Sequence, residues 1–416
     1  MKNQRITEAM LQFIEESPTA FHAAANVEAL LLENGFEKLE NLAEGALVPG
    51  GSYYTMQNGS AVLAVKIPEN PAKGFRIAAS HSDSPCFKIK EVPEMKVENT
   101  YVKLNVEKYG GMILSPWLDR PLSVAGRVFV AGKDGKPEAK LVNLKKDLLI
   151  IPNVAIHFNR EINNMAPLMG LDQELSIKKL CAEAADMAEE EILGSDLYVY
   201  NRDKGRIMGA DDSLIGSPRL DDLQCAYATL RGFLASKPEE FISVYALFDN
   251  EEVGSGTKQG ADSTFLEEFL EIVLENVYPD KNRLWKRSFY QNSFLLSADN
   301  GHAVHPNHPE KTDPTNRPYL NGGVVLKYNG SQKYTTDGYS AAIVRQICNT
   351  WEIPLQTFAN RSDIAGGSTL GNISTAHVSI PSADVGLAQL AMHSAFETAG
   401  VKDTEALAQL AEHLFV

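Results

Sequence analysis

Short apolar runs alternate with segments of helical periodicity along much of the chain, and this alternation restricts the fold more than any other feature. The runs at residues 75–80, 242–248 and 294–298 are typical of buried strands, whereas residues 223–236 and 265–275 have the spacing of helices. Strands that alternate with helices indicate a sheet covered by helices on both faces. We therefore expect an α/β fold built on a three-layer α/β/α domain.

The two ends of the chain extend this pattern. Apolar residues at helical spacing predict two amphipathic helices within residues 7–34 and further helices at residues 340–350 and 405–414. Between them, residues 53–67 alternate around Asn58-Gly59, which predicts a β-hairpin with a tight turn. The helices are expected to cover the sheet that the hairpin joins.

The character of the sequence changes between residues 92 and 213. Short strand-like segments, such as 122–131 and 148–151, are separated here by turns rich in Gly, Pro and Asn. A chain of 416 residues is long enough for more than one domain. We therefore expect a β-rich domain of residues 92–213 inserted into a domain formed by residues 1–91 and 214–416.

The composition excludes several classes of partner. The formal net charge of −15 repels phosphate backbones, and no basic run reverses it locally, so we expect no nucleic-acid partner. No run approaches the roughly 20 apolar residues of a membrane span, and the N-terminus leads into a mixed polar helix rather than a signal region. The cysteines show no paired short spacing, which favours reduced thiols and a cytoplasmic location: Cys86, Cys181, Cys225 and Cys348.

Histidine and carboxylate residues gather where the predicted strands end. Zinc binds imidazole nitrogen and carboxylate oxygen, and one carboxylate can bridge two ions. In an extended chain the side chains of His81 and Asp83 point to the same side. Asp83 is therefore expected to accept the N–H of the His81 ring nitrogen that does not bind metal. The residues with suitable chemistry for a two-metal site are His81, Asp221, Glu252, Asp299 and His393.

Each motif has a simpler interpretation when it is taken alone. His81-Ser82-Asp83 is also compatible with a hydrogen-bonded histidine at a strand end, and Asp221-Asp222 with a cap on the helix that it begins. Glu251-Glu252 is compatible with a solvated acidic turn. The strongly apolar strand before that pair favours delivery to the end of a buried sheet, where like charges need a compensating cation.

Other chemistries have weaker support. His302, His305 and His308 are interpreted as loop residues near the site, because Pro306 excludes a regular helix through them. The sequence has no Gly-x-Ser-x-Gly elbow in a strand-to-helix context, and it has no phosphate-binding loop or dinucleotide fingerprint. A metal site is therefore the leading hypothesis.

Five segments, taken in order, resemble the aspartyl aminopeptidase and vacuolar aminopeptidase I family of dinuclear zinc metallopeptidases. They span most of the chain, and the insertion agrees through Trp117-Leu118-Asp119-Arg120 and residues 151–157. The five segments are His81-Ser82-Asp83-Ser84-Pro85-Cys86, Arg219-Leu220-Asp221, Asp249-Asn250-Glu251-Glu252-Val253-Gly254-Ser255, His302-Ala303-Val304-His305-Pro306-Asn307 and Met392-His393-Ser394.

The resemblance implies an enzyme that removes N-terminal residues from peptides with a free N-terminus. It implies two zinc ions per subunit, which cobalt or manganese can replace. Asp221 would bridge the ions, with the other four candidate ligands completing their shells. Glu251 would be the general base, taking a proton from the attacking water and returning it to the leaving amine, with Asp83 in the same catalytic group.

The resemblance also implies assembly. Members of the family carry the β-rich insertion as an assembly domain and form tetrahedral dodecamers from dimers. A histidine matching His157 reaches the site of a neighbouring subunit in these enzymes. The alternative for His157 is a packed strand residue.

The substrate implied is a peptide with an acidic first residue. Lys327 matches the family lysine that pairs with an acidic side chain, although a solvated strand lysine is the alternative. His302 and His305 are expected to contact the substrate. Asp222 and Ala395-Phe396 depart from the usual family residues; neither position is one of the five proposed ligands, and both are expected to alter specificity.

Three other functions remain open at this stage. A leucine-type neutral aminopeptidase would use the same site with a different first residue. A dinuclear zinc carboxypeptidase or deacylase would share the metals, the bridging carboxylate and the base. A metal-stabilised assembly protein would need no Glu251, whose presence argues against it.

Overall fold

The computed structural model describes residues 2–39, 47–155, 157, 171–172, 176–364 and 366–416. The helices within these ranges are α1 (Lys2–Glu16), α2 (Ala20–Glu33), α3 (Ile177–Ala184), α4 (Leu220–Ala235), α5 (Phe265–Val277), α6 (Arg283–Gln291), α7 (Gly338–Thr350), α8 (Leu370–His377) and α9 (Asp403–Leu414). None of the helices in the described ranges is long and apolar enough to cross a membrane.

The described strands form two sheets. The larger sheet contains β1 (Glu37–Lys38), β2 (Ser52–Gln57), β3 (Ala61–Lys66), β4 (Phe75–His81), β11 (Arg206–Met208), β12 (Leu214–Ser217), β13 (Ile242–Phe248), β14 (Phe294–Ala298), β15 (Gly301–His302), β16 (Val324–Tyr328), β17 (Leu355–Ala359), β18 (Ser382–Leu390) and β19 (Glu397–Gly400). The smaller sheet contains β5 (Cys86–Val97), β6 (Tyr101–Tyr109), β7 (Leu122–Ala131), β8 (Pro137–Asn143), β9 (Leu171–Asp172) and β10 (Gly194–Asn201).

The centre of the larger sheet is parallel. Strand β4 pairs in parallel with β13 on one edge and β14 on the other, and β14 pairs in parallel with β18. The order continues outward as β1-β2-β3-β13 on one side and β18-β19-β12-β11 on the other. The carboxyl ends of four central strands therefore lie along one edge of the sheet.

Helices cover both faces of this sheet. Alternate residues of β13 point to opposite sides, so Tyr245 and Leu247 pack with α1, α2 and α4, whereas Val244 and Ala246 pack with α5. Both faces of the strand are fully buried, as in parallel sheets between two helical layers. The predicted three-layer α/β/α arrangement is confirmed.

The smaller sheet has the order β8-β7-β10-β5-β6-β9 and its own buried core. The chain enters this sheet between His81 and Cys86, and it returns to the larger sheet between Asn201 and Arg206. Arg127 on β7 joins the two sheets: its Nη1 donates to the carbonyl oxygen of Asn58 in the β2–β3 turn at 2.5 Å. The assignment of residues 92–213 to a separate domain stays a prediction.

Most predicted elements are present, with one exception in the smaller sheet. The two N-terminal helices and the hairpin of β2 and β3 form as expected. The strand predicted at residues 148–151 is wrong, because the segment makes only an isolated bridge between Leu149 and Leu122. Strand β7 is paired with β10 along one edge, and β8 occupies the other edge from Ala125 onward, which leaves only the first three residues of β7 for further pairing.

Candidate metal centre

Three of the predicted motifs lie at the carboxyl ends of neighbouring parallel strands. Strand β4 ends at His81, β13 ends at Phe248 directly before Asp249, and β14 ends at Ala298 directly before Asp299. The register pairs Phe248 with His81. Because these ends meet at one edge of the sheet, the side chains that follow them are brought together.

Two further candidate ligands come from outside these strands. Asp221 stands at the start of α4 with a non-helical backbone, and its N–H donates to Glu397 Oε2 at 3.1 Å. The peptide bond between Asp221 and Asp222 is cis. His393 follows β18 with a φ of 65°, and its N–H donates to Glu397 Oε1 at 2.7 Å. One buried carboxylate therefore holds the backbone of both residues.

The other four predicted ligands converge on Asp221. His81 Nε2 lies 3.5 Å from Asp221 Oδ1, and His393 Nε2 lies 3.4 Å from Asp221 Oδ2. His393 Nε2 also lies 3.4 Å from Glu252 Oε2. The candidate ligand atoms fall into sets whose members lie within 4.8 Å of one another, among them His81, Asp221, Asp222 and Asp299, and Asp221, Glu252 and His393.

The second nitrogen of His81 faces Asp83, as the sequence predicts. His81 Nδ1 lies 3.3 Å from Asp83 Oδ1 and 3.1 Å from the carbonyl oxygen of Asp83. Two acceptors on this side favour a proton on Nδ1, which leaves the lone pair of Nε2 directed towards Asp221. A second nitrogen fixed in this way is typical of metal-binding histidines.

Asp83 also shapes the turn that carries the adjacent glutamates. Its Oδ1 accepts the N–H of Glu251, and its Oδ2 accepts the N–H of Glu252, each at 3.1 Å. The side chain of Glu252 is 3% exposed. The interpretation of this pair as a solvated acidic turn is therefore wrong.

Lys327 occupies the interior beside Asp299. Its side chain is 2% exposed, and its Nζ lies 3.7 Å from Asp299 Oδ2. The same ammonium group donates to the carbonyl oxygen of Asn300 at 2.9 Å. The alternative of a solvated strand lysine is therefore wrong.

Asp222 has a supporting position beside the cluster. It is fully buried, and its two carboxylate oxygens accept the N–H groups of His81 and Asn300, each at 3.2 Å. These donors lie at the ends of β4 and β14. The side chain therefore ties two strand ends together, a role that the helix-capping interpretation does not describe.

The site contains more carboxyl groups than basic side chains. Burial raises the pKa of Glu251 to about 7 and of Asp299 to about 6, and it raises the pKa of Glu252 well above its ordinary value. Burial also acts on Asp221, but the neighbouring His393 and His81 outweigh it and lower the pKa of that carboxyl. A bound cation would relieve this accumulation of buried negative charge.

Two carboxylate oxygens in the cluster lack a hydrogen-bond donor. Within the part of the chain that the structure describes, no donor reaches the buried atoms Asp221 Oδ1 and Glu252 Oε1. Buried polar atoms of this kind need a partner, and these two belong to proposed ligands. The orphaned oxygens and the imidazole–carboxylate donor set both fit zinc.

The remaining predicted site residues, His302, His305 and His157, lie outside the cluster around Asp221. His302 and His305 line a cavity that extends to Ala391 and Met392, directly before His393. Both histidines are exposed. His157 lies in an exposed turn and not in a strand, so its packed-strand alternative is wrong.

Sequence reasoning missed three contributors to the centre. Glu397 holds Asp221 and His393, as described above, and Tyr109 donates its hydroxyl hydrogen to Asp83 Oδ2 at 2.6 Å. The carbonyl oxygen of Gly111 lies 2.7 Å from His393 Nδ1. The adjacent glycines Gly110 and Gly111 are the local signal that the sequence offers for the last contact.

Comparison with known proteins identifies the family of the chain. The family model described as "Aminopeptidase I zinc metalloprotease (M18)" matches residues 13–415. A Clostridium acetobutylicum protein described as "Probable M18 family aminopeptidase 2" is 42% identical over 421 residues, covering 97% of each chain. Both matches span almost the whole chain.

Solved structures show the same fold. The cryo-EM structure of the Ape4 and Nbr1 complex superposes with a TM-score of 0.94 at 31% identity, covering 100% of this chain and 86% of the other. The structure of the S. cerevisiae mApe1 dodecamer has a TM-score of 0.88 at 25% identity, with 100% and 97% coverage. The fold and the site define a zinc metallopeptidase of the α/β/α type. The chain belongs to the M18 family of aminopeptidases, and the protein is accordingly a zinc-dependent aminopeptidase.

Proposed function

We propose that the protein cleaves the first peptide bond of peptides with a free N-terminus, prefers Asp or Glu as the first residue, and uses two zinc ions. The observation that carries the proposal is the position of Asp221. Its Oδ1 faces His81 at 3.5 Å and its Oδ2 faces His393 at 3.4 Å. A carboxylate between two histidines is suited to bridging two metal ions.

The ligands divide into two groups that share Asp221. His81 and Asp299 would hold one ion with the shared carboxylate, and Glu252 and His393 would hold the other. When bound, zinc supplies Lewis acidity, which polarises a carbonyl group and makes water more acidic. Cobalt and manganese are proposed as substitutes, because they accept the same nitrogen and oxygen ligands.

Glu251 is the proposed general base. Asp83 accepts its backbone N–H at 3.1 Å, so the residue is fixed next to the ligand Glu252. Glu251 also forms a close cluster with His81 and Glu252. From this position its carboxylate would take a proton from the attacking water and deliver it to the nitrogen of the departing amine.

The preference for acidic substrates is assigned to Lys327, with His302 and His305 at the open side of the cleft. Lys327 brings a buried positive charge to the end of β16, close to Asp299. An acidic first side chain would compete with Asp299 for this ammonium group. Such a charge pair is strong in a site shielded from water.

A neutral, leucine-type preference is the second candidate. The observation that favours it is the existing environment of Lys327, whose Nζ is already 2.9 Å from the Asn300 carbonyl oxygen and 3.7 Å from Asp299. In that case the lysine would stabilise Asp299 and would leave the first residue of the substrate without a cationic partner.

We also propose that the protein assembles from dimers into a tetrahedral dodecamer, with residues 92–213 as the assembly domain. Large exposed apolar side chains in this segment support it, including Val92 at 79% and Leu193 at 64%. The related S. cerevisiae mApe1 structure is described as a dodecamer. His157, exposed in the same segment, would enter the site of a neighbouring subunit.

A cytoplasmic location belongs to the same proposal. The four cysteines are free thiols, and three of them are buried. Unpaired cysteines are usual in a reducing compartment.

A panel of aminoacyl chromogenic substrates tests the proposed activity. The panel holds Asp, Glu, Leu, Lys and N-acetyl-Asp at the first position, and rates are measured before and after chelation and again after zinc is restored. We expect chelator-sensitive cleavage of the Asp and Glu substrates and none of the acetylated one. Faster cleavage of Leu would establish the neutral alternative, and cleavage of N-acetyl-Asp would favour the deacylase alternative.

A further inference from the structure

One short segment of the smaller sheet reaches the metal centre. Strand β6 ends at Tyr109 and continues into Gly110 and Gly111, and this segment, Tyr109–Gly111, contacts Asp83, Glu252 and His393. We propose that Tyr109–Gly111 positions the metal ligands, so that the docking of the smaller sheet onto the larger one sets the metal affinity of the site. The inference rests on the ligand set proposed above.

Tyr109 acts on the ligands through Asp83. Its hydroxyl group donates to Asp83 Oδ2 at 2.6 Å and accepts a hydrogen bond from Asn250 Nδ2 at 2.8 Å. Asp83 in turn faces His81 Nδ1 and accepts both N–H groups of the glutamate turn. One hydroxyl group from the smaller sheet therefore holds the carboxylate that orients a histidine ligand and its neighbouring turn.

Gly111 acts on His393 through the backbone. Its carbonyl oxygen lies 2.7 Å from His393 Nδ1, and the N–H of Ile113 donates to the carbonyl oxygen of His393 at 3.0 Å. A carbonyl oxygen can only accept, so the proton must lie on Nδ1. The lone pair of Nε2 then faces Asp221 and Glu252, the tautomer that metal binding requires.

Gly110 allows the segment to approach Glu252 closely. Its φ is +77°, and a Cβ atom added there would lie 3.1 Å from Glu252 Cβ and 3.4 Å from Glu252 Oε2. Glycine combines this backbone conformation with this clearance. The segment therefore forms part of the wall against which the Glu252 ligand rests.

All three contacts come from the segment Tyr109–Gly111, and together they reach both groups of proposed ligands. Tyr109 acts on the His81 side, whereas Gly110 and Gly111 act on the side of Glu252 and His393. Gly110 and Gly111 contact proposed ligands directly, and Tyr109 contacts Asp83, which faces one. Residues that support metal ligands commonly change metal affinity by about 10- to 100-fold when they are altered. A shift of the smaller sheet would alter all three together.

Two variants of the segment and two matched controls test this inference. Tyr109→Phe removes the hydroxyl group, and Gly110→Ala adds the crowding Cβ atom. Tyr200→Phe removes another hydroxyl group of the smaller sheet, which donates to Asn143 Oδ1 at 2.7 Å and not to a residue of the metal cluster. Gly135→Ala places Cβ at a similar φ of +78° with nothing within 4 Å.

Zinc affinity is measured on each full-length variant by competition with a chelator, together with the visible spectrum of the cobalt-loaded protein and the Tm without metal. We expect Tyr109→Phe and Gly110→Ala to bind zinc about 10-fold or more weakly and to change the cobalt spectrum. Both controls should match the wild type. Wild-type affinity and spectra in both segment variants would overturn the inference.

Glu252→Ala distinguishes this failure from a failure of the proposed ligand set. Loss of one zinc ion from Glu252→Ala, with wild-type binding in both segment variants, would overturn the positioning inference alone. Retention of two zinc ions by Glu252→Ala would overturn the ligand set and the inference with it.

Discussion

Lys327 and Asp299 form a buried ion pair at the edge of the metal cluster, with 3.7 Å between Nζ and Oδ2. Lys327 is the residue proposed to select acidic substrates, and Asp299 is a proposed metal ligand, so the pair links specificity to metal binding. Replacement of the lysine separates the two, because an effect on the metal changes the hydrolysis of all substrates, whereas an effect on specificity changes only that of acidic ones.

We expect Lys327→Met to lower kcat/KM for Asp substrates by about 10- to 100-fold while leaving Leu substrates nearly unchanged, since one shielded charge pair is lost. Methionine keeps much of the length of the side chain without its charge. Steady-state kinetics on both substrates is the measurement. Equal losses on Asp and Leu substrates would assign the lysine to Asp299 and remove it from specificity.

Glu251→Gln is expected to keep both metal ions and lose turnover by about 10²- to 10⁴-fold, because proton transfer is removed and the shape is preserved. Glu252→Gln is the matched comparison, since it changes the adjacent carboxylate and should lose metal as well as activity. Metal content and kcat are measured for both variants. Wild-type turnover in Glu251→Gln would show that another group moves the proton.

Glu397→Gln should weaken the site through the backbone. Each oxygen of Glu397 accepts an N–H, from Asp221 and from His393, and the amide can accept only one of them. A loss of about 1–3 kcal/mol in unfolding free energy is expected, together with weaker zinc binding. Thermal unfolding and chelator competition measure the two effects.

Asp403→Asn is the control for this variant. Asp403 is equally buried, and its two oxygens accept the N–H groups of Asn321 and Gly323 at 2.7 and 2.8 Å. We expect a similar loss of stability with unchanged zinc affinity. A similar loss of zinc affinity in both variants would indicate general destabilisation.

His157 allows the proposed contribution of one subunit to another's site to be tested by mixing. His157→Ala and Glu251→Gln should each be inactive alone, whereas co-expressed mixed oligomers should regain roughly a quarter of the activity, because some pairs of subunits combine both intact residues. Activity and oligomer size are measured after co-purification. Mixed oligomers that stay inactive would contradict a role across the subunit boundary.

The buried side chain of His22 is expected to lower the stability of the folded protein in mild acid. Burial, with the charges of Lys145 and Arg219, lowers its pKa to about 4 from the ordinary 6.5. The folded state therefore favours the neutral ring, and its contribution is complete above pH 6.5 and lost as the pH falls towards 4. We expect His22→Gln to reduce the fall in Tm between pH 7 and pH 4.5. An unchanged pH dependence would show that other groups control acid stability.

The sequence was sufficient to predict which residues come together at the centre, because most of them follow strands with clear apolar patterns. His81 and Asp299 adjoin the central strands β4 and β14, and parallel strands bring their carboxyl ends to one edge. The glutamate turn was informative for the same reason: the strand before it is buried on both faces. In these segments the apolar pattern of the sequence predicts a buried strand, and the strand lies at the centre of the sheet.

The supporting residues could not be predicted in this way. Tyr109 contacts Asp83 only because the smaller sheet docks on the larger one. Glu397 contacts two proposed ligands only because β18 and β19 pair beside α4. Such contacts join residues far apart in the chain, such as Asn250 and Tyr109, and leave no periodic signal. The role of Lys327 was ambiguous because the sequence of a short apolar strand does not reveal which negatively charged group, if any, lies beside its lysine.

The positions where the smaller sheet joins the larger one have a consequence for the history and the engineering of the chain. Insertions usually enter at exposed loop tips, where they can be lengthened, exchanged or removed. Here the outgoing link begins directly after His81, and the returning strands β11 and β12 end at Ser217, just ahead of Asp221. Removing or exchanging the smaller sheet would displace residues on both sides of the centre at once, so the two sheets should be inherited, and transplanted, only as a unit.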